Sequence, residues 1–248
     1  MTRADEYRIR LRKLENWDSY LLKESGLPGP RGNIELAQVV AEEGTRQLFQ
    51  NYISYTAARA PVNSPYEFLA FCGVVGFGRL LAEGDHRLLG MLRGFASDPR
   101  WRLREAVAMA LQRLGDADMD QLVASMKEWA DGTTLEQRAA AAALCEPRLL
   151  KRKDHALAVL SILDHITSTV EQVPDRSDEN FRTLRKGLGY CWSVAVAALP
   201  EEGKPMMEKW MLRTDKDIRW IMMENLKKSR LIRMDEAWVQ TCHNRLQG

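Results

Sequence analysis

The sequence predicts an all-α protein built from stacked pairs of amphipathic helices, and three observations carry that expectation. Over residues 99–114 the apolar positions Leu103, Ala106, Val107, Ala110, Leu111 and Leu114 follow the i, i+3, i+4, i+7 rhythm of one helix face. The same template recurs at offsets of −34, +34, +81 and +115 residues. No run shows the sustained alternation of a half-buried strand. The 248 residues are 45% hydrophobic and 28% charged, a globular mixture with enough apolar material for a core. With 36 Lys+Arg against 34 Asp+Glu the net charge is +2, which excludes a whole-protein field drawing in nucleic acid or an anionic membrane.

From the N-terminus, residues 3–24 read as one charged helix. Residues 25–33 (SGLPGPRGN) form a rigid Gly/Pro turn, and Asn33 is placed to cap a helix at 33–43, with another at 45–59. The helix at 65–83 is apolar nearly all round. Leu69, Cys72, Gly73, Gly76, Phe77 and Leu80 occupy the template face, with Phe68, Phe71, Val74 and Val75 opposite. Such a helix is buried on both sides, so the N-terminal helices are expected to cover it. Asp98 as N-cap and Pro99 at the first helical position start the helix that carries the template.

Thr133 and Glu136 make a candidate capping box before Gln137, Ala140, Ala141, Leu144 and Cys145. Leu184, Gly187, Leu188, Cys191, Trp192 and Ala195 form the next copy, and Ile218, Ile221, Met222, Asn225 and Leu226 the last. Shorter amphipathic segments at about 85–97, 117–131, 152–171, 203–213 and 235–246 alternate with these helices. Repeats of roughly 34 to 47 residues suit helical-pair solenoids, in which stacking buries a face that one pair cannot bury alone. The expected organisation is a helical cap over 1–60 and repeats over 61–248 in one continuous domain. The most apolar stretch, 68–82, is interrupted by Arg79 and reads as too short for a bilayer, and residues 1–12 lack the apolar run of a secretory signal. A cytoplasmic location is the resulting expectation.

The segment Asp98-Pro99-Arg100-Trp101-Arg102-Leu103-Arg104-Glu105-Ala106-Val107, a turn Asp and Pro followed by an apolar–Arg pair, resembles a HEAT-like repeat. Asp217-Ile218-Arg219-Trp220 resembles a second copy. The resemblance covers about residues 65–246 and departs from the pattern at Gln137 and in an insertion around 171–180. It implies a right-handed α-solenoid whose second helices line a concave side. It also implies a distant similarity to HEAT-like alkylpurine DNA glycosylases, whose activity depends on groove aromatics and an Asp carboxylate. Here Trp101, Tyr190 and Trp220 would be the stacking aromatics, but no Asp falls on that outer face, and Glu105 and Glu224 are the only nearby substitutes.

The residues themselves offer little catalytic chemistry. Cys72, Cys145 and Cys191 fall on the repeated core face, and Cys242 lies far from them with no CxxC, so all four read as free thiols. His86, His155, His165 and His243 share no metal spacing, and neither a metal nor another cofactor is expected. Gly73, Gly76 and Gly78 lie inside a helical pattern and read as close packing rather than a phosphate loop. Arg104, Arg138, Arg185 and Arg219 recur at one template position. They read as holding turn carboxylates (Asp98, Asp131, Asp215) or carbonyls of the adjacent repeat, with a phosphate-binding stripe as the alternative.

The face opposite the core decides the functional expectation. It reads as Trp101, Glu105, Met109 and Gln112, then Leu135, Ala139, Ala142, Ala143 and Glu146, then Arg182, Lys186, Tyr190 and Ser193, then Lys216, Trp220, Met223, Glu224 and Lys227, with Glu67 added. Its charges cancel among aromatic and Met anchors, a composition suited to a protein or peptide. Trp101, Glu105, Met109, Lys186, Tyr190, Trp220, Glu224 and Lys227 are therefore the candidate partner contacts of a non-enzymatic scaffold. Arg31 in the Gly/Pro turn, Arg148, Lys151, Arg152 and Lys153, and Lys228 and Arg230 beside Lys227 and Arg233, are the candidates for an anion or nucleic acid. Nucleic acid is thus the alternative partner, and no membrane contact is expected.

Overall fold

The computed structural model describes residues 1–247. Among the described residues there are fifteen α-helices, one 3₁₀ turn and no strand, so the protein is all-α. The chain divides into two compact units, Met1–Ala117 and Asp118–Gly248.

Unit 1 holds α1 (Arg3–Leu11), α2 (Asp18–Glu24), α3 (Ile34–Glu43), α4 (Arg46–Ile53), α5 (Pro65–Ala82), α6 (Leu88–Phe95) and α7 (Trp101–Ala117). The single helix expected over 3–24 is two. Asn16 accepts from the Asp18 amide at 2.7 Å, and Trp17 donates its indole N–H to the Leu11 carbonyl at 3.0 Å. These side chains satisfy the backbone locally and let the chain turn between buried Leu11 and Leu21. Asn33 caps α3 as expected, accepting from the Leu36 amide at 3.1 Å. The helix expected to run to 59 stops at Ile53.

Helix α5 starts at Ser64 and Pro65 and is buried along almost its whole length. Helices α2, α3 and α4 contact it, as do α6 and α7. Its eighteen residues, with mean hydropathy 1.2, are long and apolar enough to cross a membrane, which corrects the expectation that this stretch is too short. Here protein covers it instead. Two of its glycines make that cover close. A Cβ at Gly76 would sit 2.4 Å from the Phe49 ring, and one at Gly78 would sit 2.4 Å from Ala110 Cα in α7.

Helix α7 begins at Trp101, two residues later than the Asp98–Pro99 signal suggested. Asp98 serves Arg100 instead. Its carboxylate accepts from the Arg100 amide and from Nε and Nη2 of the same residue at 2.8–2.9 Å. The guanidinium is buried and also donates to the Tyr55 and Ala60 carbonyls, which ties the turn after α4 to the start of α7. The template residues Leu103, Ala106, Val107, Ala110, Leu111 and Leu114 are all buried.

Unit 2 holds α8 (Met119–Ala130), α9 (Thr134–Leu144), α10 (Lys153–Val170), α11 (Glu179–Ala198), α12 (Pro200–Met211), α13 (Lys216–Leu226), α14 (Ser229–Met234) and α15 (Glu236–Gln247). Helices α8, α10, α12 and α15 touch in succession, and so do α9, α11 and α13. Thr133 and Glu136 form the expected capping box. The polar departures on the template face have partners. Gln137 donates to the Ala130 carbonyl at 3.0 Å, closing the end of α8. Asn225 accepts from the Ser193 amide and donates to the Leu188 and Ile221 carbonyls, all at 2.8 Å, which locks α13 onto α11. Helix α14 carries no template signal.

Candidate binding clefts

In unit 1, four of the expected contact residues meet in one cleft. Trp101, Glu105 and Met109 lie one turn apart on α7, and Arg31 joins them from the Gly/Pro turn. The cleft has a volume of about 370 Å³, within the range of pockets that hold a small molecule or one large side chain. Leu27, Pro30, Ile34, Phe68 and Phe71 supply an apolar lining. Trp101 is 43% exposed at its mouth.

The cleft's tryptophan is held by a buried ion pair that sequence reading missed. Arg102 lies over the Trp101 ring, its guanidinium carbon 4.4 Å from the ring centroid. Its Nη1 donates to Glu67 Oε2 at 3.1 Å, and its Nη2 donates to the Gly29 carbonyl at 2.6 Å. Glu67 also accepts from the Asn63 amide at 2.7 Å. Glu67 was expected on the exposed face. It is fully buried, because α5 is enclosed from its first turn and the carboxylate there needs the arginine beside it. Leu135, Ala139, Ala143 and Ser193, expected on the same exposed face, are also buried. The helices carrying them are covered more widely than a single-stripe reading allows.

In unit 2, Gly189 on α11 lies against Trp220 and Glu224 on α13, with Lys186 exposed on α11 and Lys227 just past the end of α13. A Cβ on Gly189 would meet Trp220 at 3.1 Å and Glu224 at 3.2 Å, so the small residue sets how close this face lies. Tyr190 is 44% exposed and bears the Arg230 guanidinium over its ring at 4.6 Å, with Lys228 at 6.0 Å. Trp220 is half-buried and stacks with Arg185 at 4.2 Å. Arg185 donates to Asp217 at 2.5 Å, and Arg176 donates to both Asp215 and Asp217. Burial opposes the Asp215 charge, but the Ile218 amide, Arg176 and the Asp217 amide outweigh it and hold the carboxyl below its usual range. Arg176 lies in the insertion, where no periodic signal pointed to it.

Three of the recurrent arginines show backbone or carboxylate partners. Arg104 donates to the carbonyls of Asp98 and Pro99 in its own turn, and Arg219 to the Leu246 carbonyl. Arg185 takes Asp217, while Asp131 takes His165 at 2.7 Å and Asp215 takes Arg176. Three members of the first basic cluster are individually matched. Arg148 pairs with Glu146 at 3.1 Å, Arg152 with Asp154 at 2.5 Å and Lys153 with Glu202 at 2.5 Å, while Lys151 is exposed. In the second cluster Lys227 pairs with Glu224, and Arg230 donates to the Tyr190 hydroxyl.

All four cysteines are buried, and burial pushes the thiols of Cys72 and Cys145 well up and that of Cys242 up to about 11, away from thiolate chemistry. Among the described residues no three His, Cys, Asp or Glu side chains are grouped to hold a metal ion. No protein-family model matches the chain, and no curated protein is significantly similar to it.

Proposed function

We propose that this protein is a non-enzymatic, cytoplasmic helical-repeat scaffold of the HEAT-like kind that binds a protein or peptide partner. One observation carries the reading: a large aromatic side chain, Trp101, stands open to solvent at the mouth of an apolar cleft. Exposed tryptophans over apolar pockets are the usual anchors of protein recognition. The lining is apolar, and its only charges are Arg31, Arg102 and Glu105, which suits an inserted apolar side chain better than a phosphate backbone. The successive contacts among α8, α10 and α12 and among α9, α11 and α13 support reading unit 2 as stacked helical pairs.

The test is a peptide-display selection on the full chain, followed by titration of the selected peptides with wild type, Trp101→Ala and Met109→Ala. The expected result is a shared aromatic or branched apolar residue in the peptides and a loss of about tenfold or more in affinity for Trp101→Ala. Peptides that bind all three proteins equally would refute the reading. Binding of alkylated duplex at low salt that vanishes at high salt would favour nucleic acid in its place.

A further inference from the structure

Unit 2 has a second cleft of different chemistry, at the first turns of α11 and α13. Its volume is about 430 Å³, and Arg176, Arg182, Arg185 and Lys216 line it against a single lining carboxylate, Asp217. That carboxylate is 2% exposed and fully engaged, with one oxygen on Arg185 and the other on Arg176. Asp215 takes the same nitrogen of Arg176 at 2.5 Å, so the floor is two guanidiniums balanced by two carboxylates.

Two features leave this floor ready for a further acceptor. Stacking on Trp220 fixes the plane of Arg185, and its Nε is buried without a hydrogen-bond partner. Above it, two cations have little or no compensation. Among the described residues Lys216 is exposed with no ion-pair partner, and Arg182 meets Glu179 alone, at 3.8 Å between exposed groups. One unpaired and one weakly paired positive charge beside two oriented arginine forks suit one dianionic oxyanion. Trp220 adds an apolar wall for the group that carries it. Three exposed acids, Asp175, Asp178 and Glu179, lie on the segment that brings in Arg176 and Arg182. Like charges there oppose the neighbouring phosphates of a nucleic acid strand, so a single phosphate is favoured over a phosphodiester chain.

We propose that this cleft is a binding site for a phosphate monoester, its dianion between Lys216 and Arg182 over the arginine floor and its organic group against Trp220. The site goes beyond the peptide reading of unit 1 and stands whether or not that reading holds.

The experiment is calorimetric titration of the full chain with phenyl phosphate, a phosphotyrosyl peptide and a single-stranded oligonucleotide. The proteins are wild type, Arg182→Ala/Lys216→Ala and Trp101→Ala/Met109→Ala. Both substituted side chains of the first variant are exposed, so the fold is expected to persist, and circular dichroism checks it. Phenyl phosphate should bind wild type, weaken by about tenfold or more in Arg182→Ala/Lys216→Ala, and bind Trp101→Ala/Met109→Ala unchanged. A peptide that binds more tightly than phenyl phosphate identifies a phosphorylated protein as the source of the group, and equal affinity identifies a small ester. No phenyl phosphate binding, binding indifferent to Arg182→Ala/Lys216→Ala, or tighter binding of the oligonucleotide would overturn the proposal.

Discussion

Two tryptophan–arginine stacks, one in each unit, use the same device for different ends. In unit 1 Arg102 stacks on Trp101 and is held by Glu67; in unit 2 Arg185 stacks on Trp220 and is held by Asp217. Both carboxylates lie in the first turn of a helix and both are buried. The surroundings differ. Arg102 is 7% exposed in its side chain and borders phenylalanines, whereas Arg185 is 30% exposed and borders three other cations. An arginine clamped to a carboxylate therefore sets a tryptophan's orientation, and the residues beyond the clamp decide which ligand the cleft accepts.

The largest effect that sharpens this comparison is on stability. Glu67→Ala leaves Arg102 charged and unpaired in the interior, and denaturant unfolding should show a loss of about 4 kcal/mol. Gly78→Ala comes next, because its Cβ meets Ala110 backbone; the expected loss is about 2–3 kcal/mol, against about 1 kcal/mol or less for Gly189→Ala, whose neighbours are side chains that can shift. Asp217→Asn weakens two charged hydrogen bonds to half-exposed arginines and should cost about 2 kcal/mol. Equal losses at Glu67 and Asp217 would break the claim that the first clamp is the more deeply desolvated.

Smaller still is Trp101→Ala, expected to change stability by about 1 kcal/mol or less while removing peptide affinity, since the ring is exposed. The pH dependence comes last. The Asp215 carboxyl is held below its ordinary value in the folded chain, so its contribution is present above about pH 4 and is lost as pH falls through the folded value. The stability gap between wild type and Asp215→Asn should therefore be widest near neutrality and close in acid. A gap that widens in acid would reverse the assigned sign.

Helix identity was legible because burial and periodicity coincide: the template residues of α5, α7, α11 and α13 are the ones that pack. Local hydrogen-bonding signals were legible where they stand alone, as at Asn33 and the Thr133–Glu136 box. They failed where a side chain had a second use. Asp98 looks like a cap but binds Arg100, and Asn16 breaks a helix whose pattern runs through it. Trp101, Glu105 and Met109 were readable as one helix face, and Arg31 as a loop cation, but their meeting depends on how the Gly/Pro turn folds against α5 and α7. Glu67 with Arg102 and Arg176 with Asp215 were not readable. Each pair joins residues 35 or more apart, and nothing in either residue's own window marks the partner.

The most direct test crosses the two clefts. Wild type, Trp101→Ala/Met109→Ala and Arg182→Ala/Lys216→Ala would each be titrated with a display-selected peptide and with phenyl phosphate. Independence of the two clefts requires that the first variant lose the peptide and keep the phosphate ester, while the second does the reverse. Loss of both ligands in either variant, or of neither in both, would contradict it.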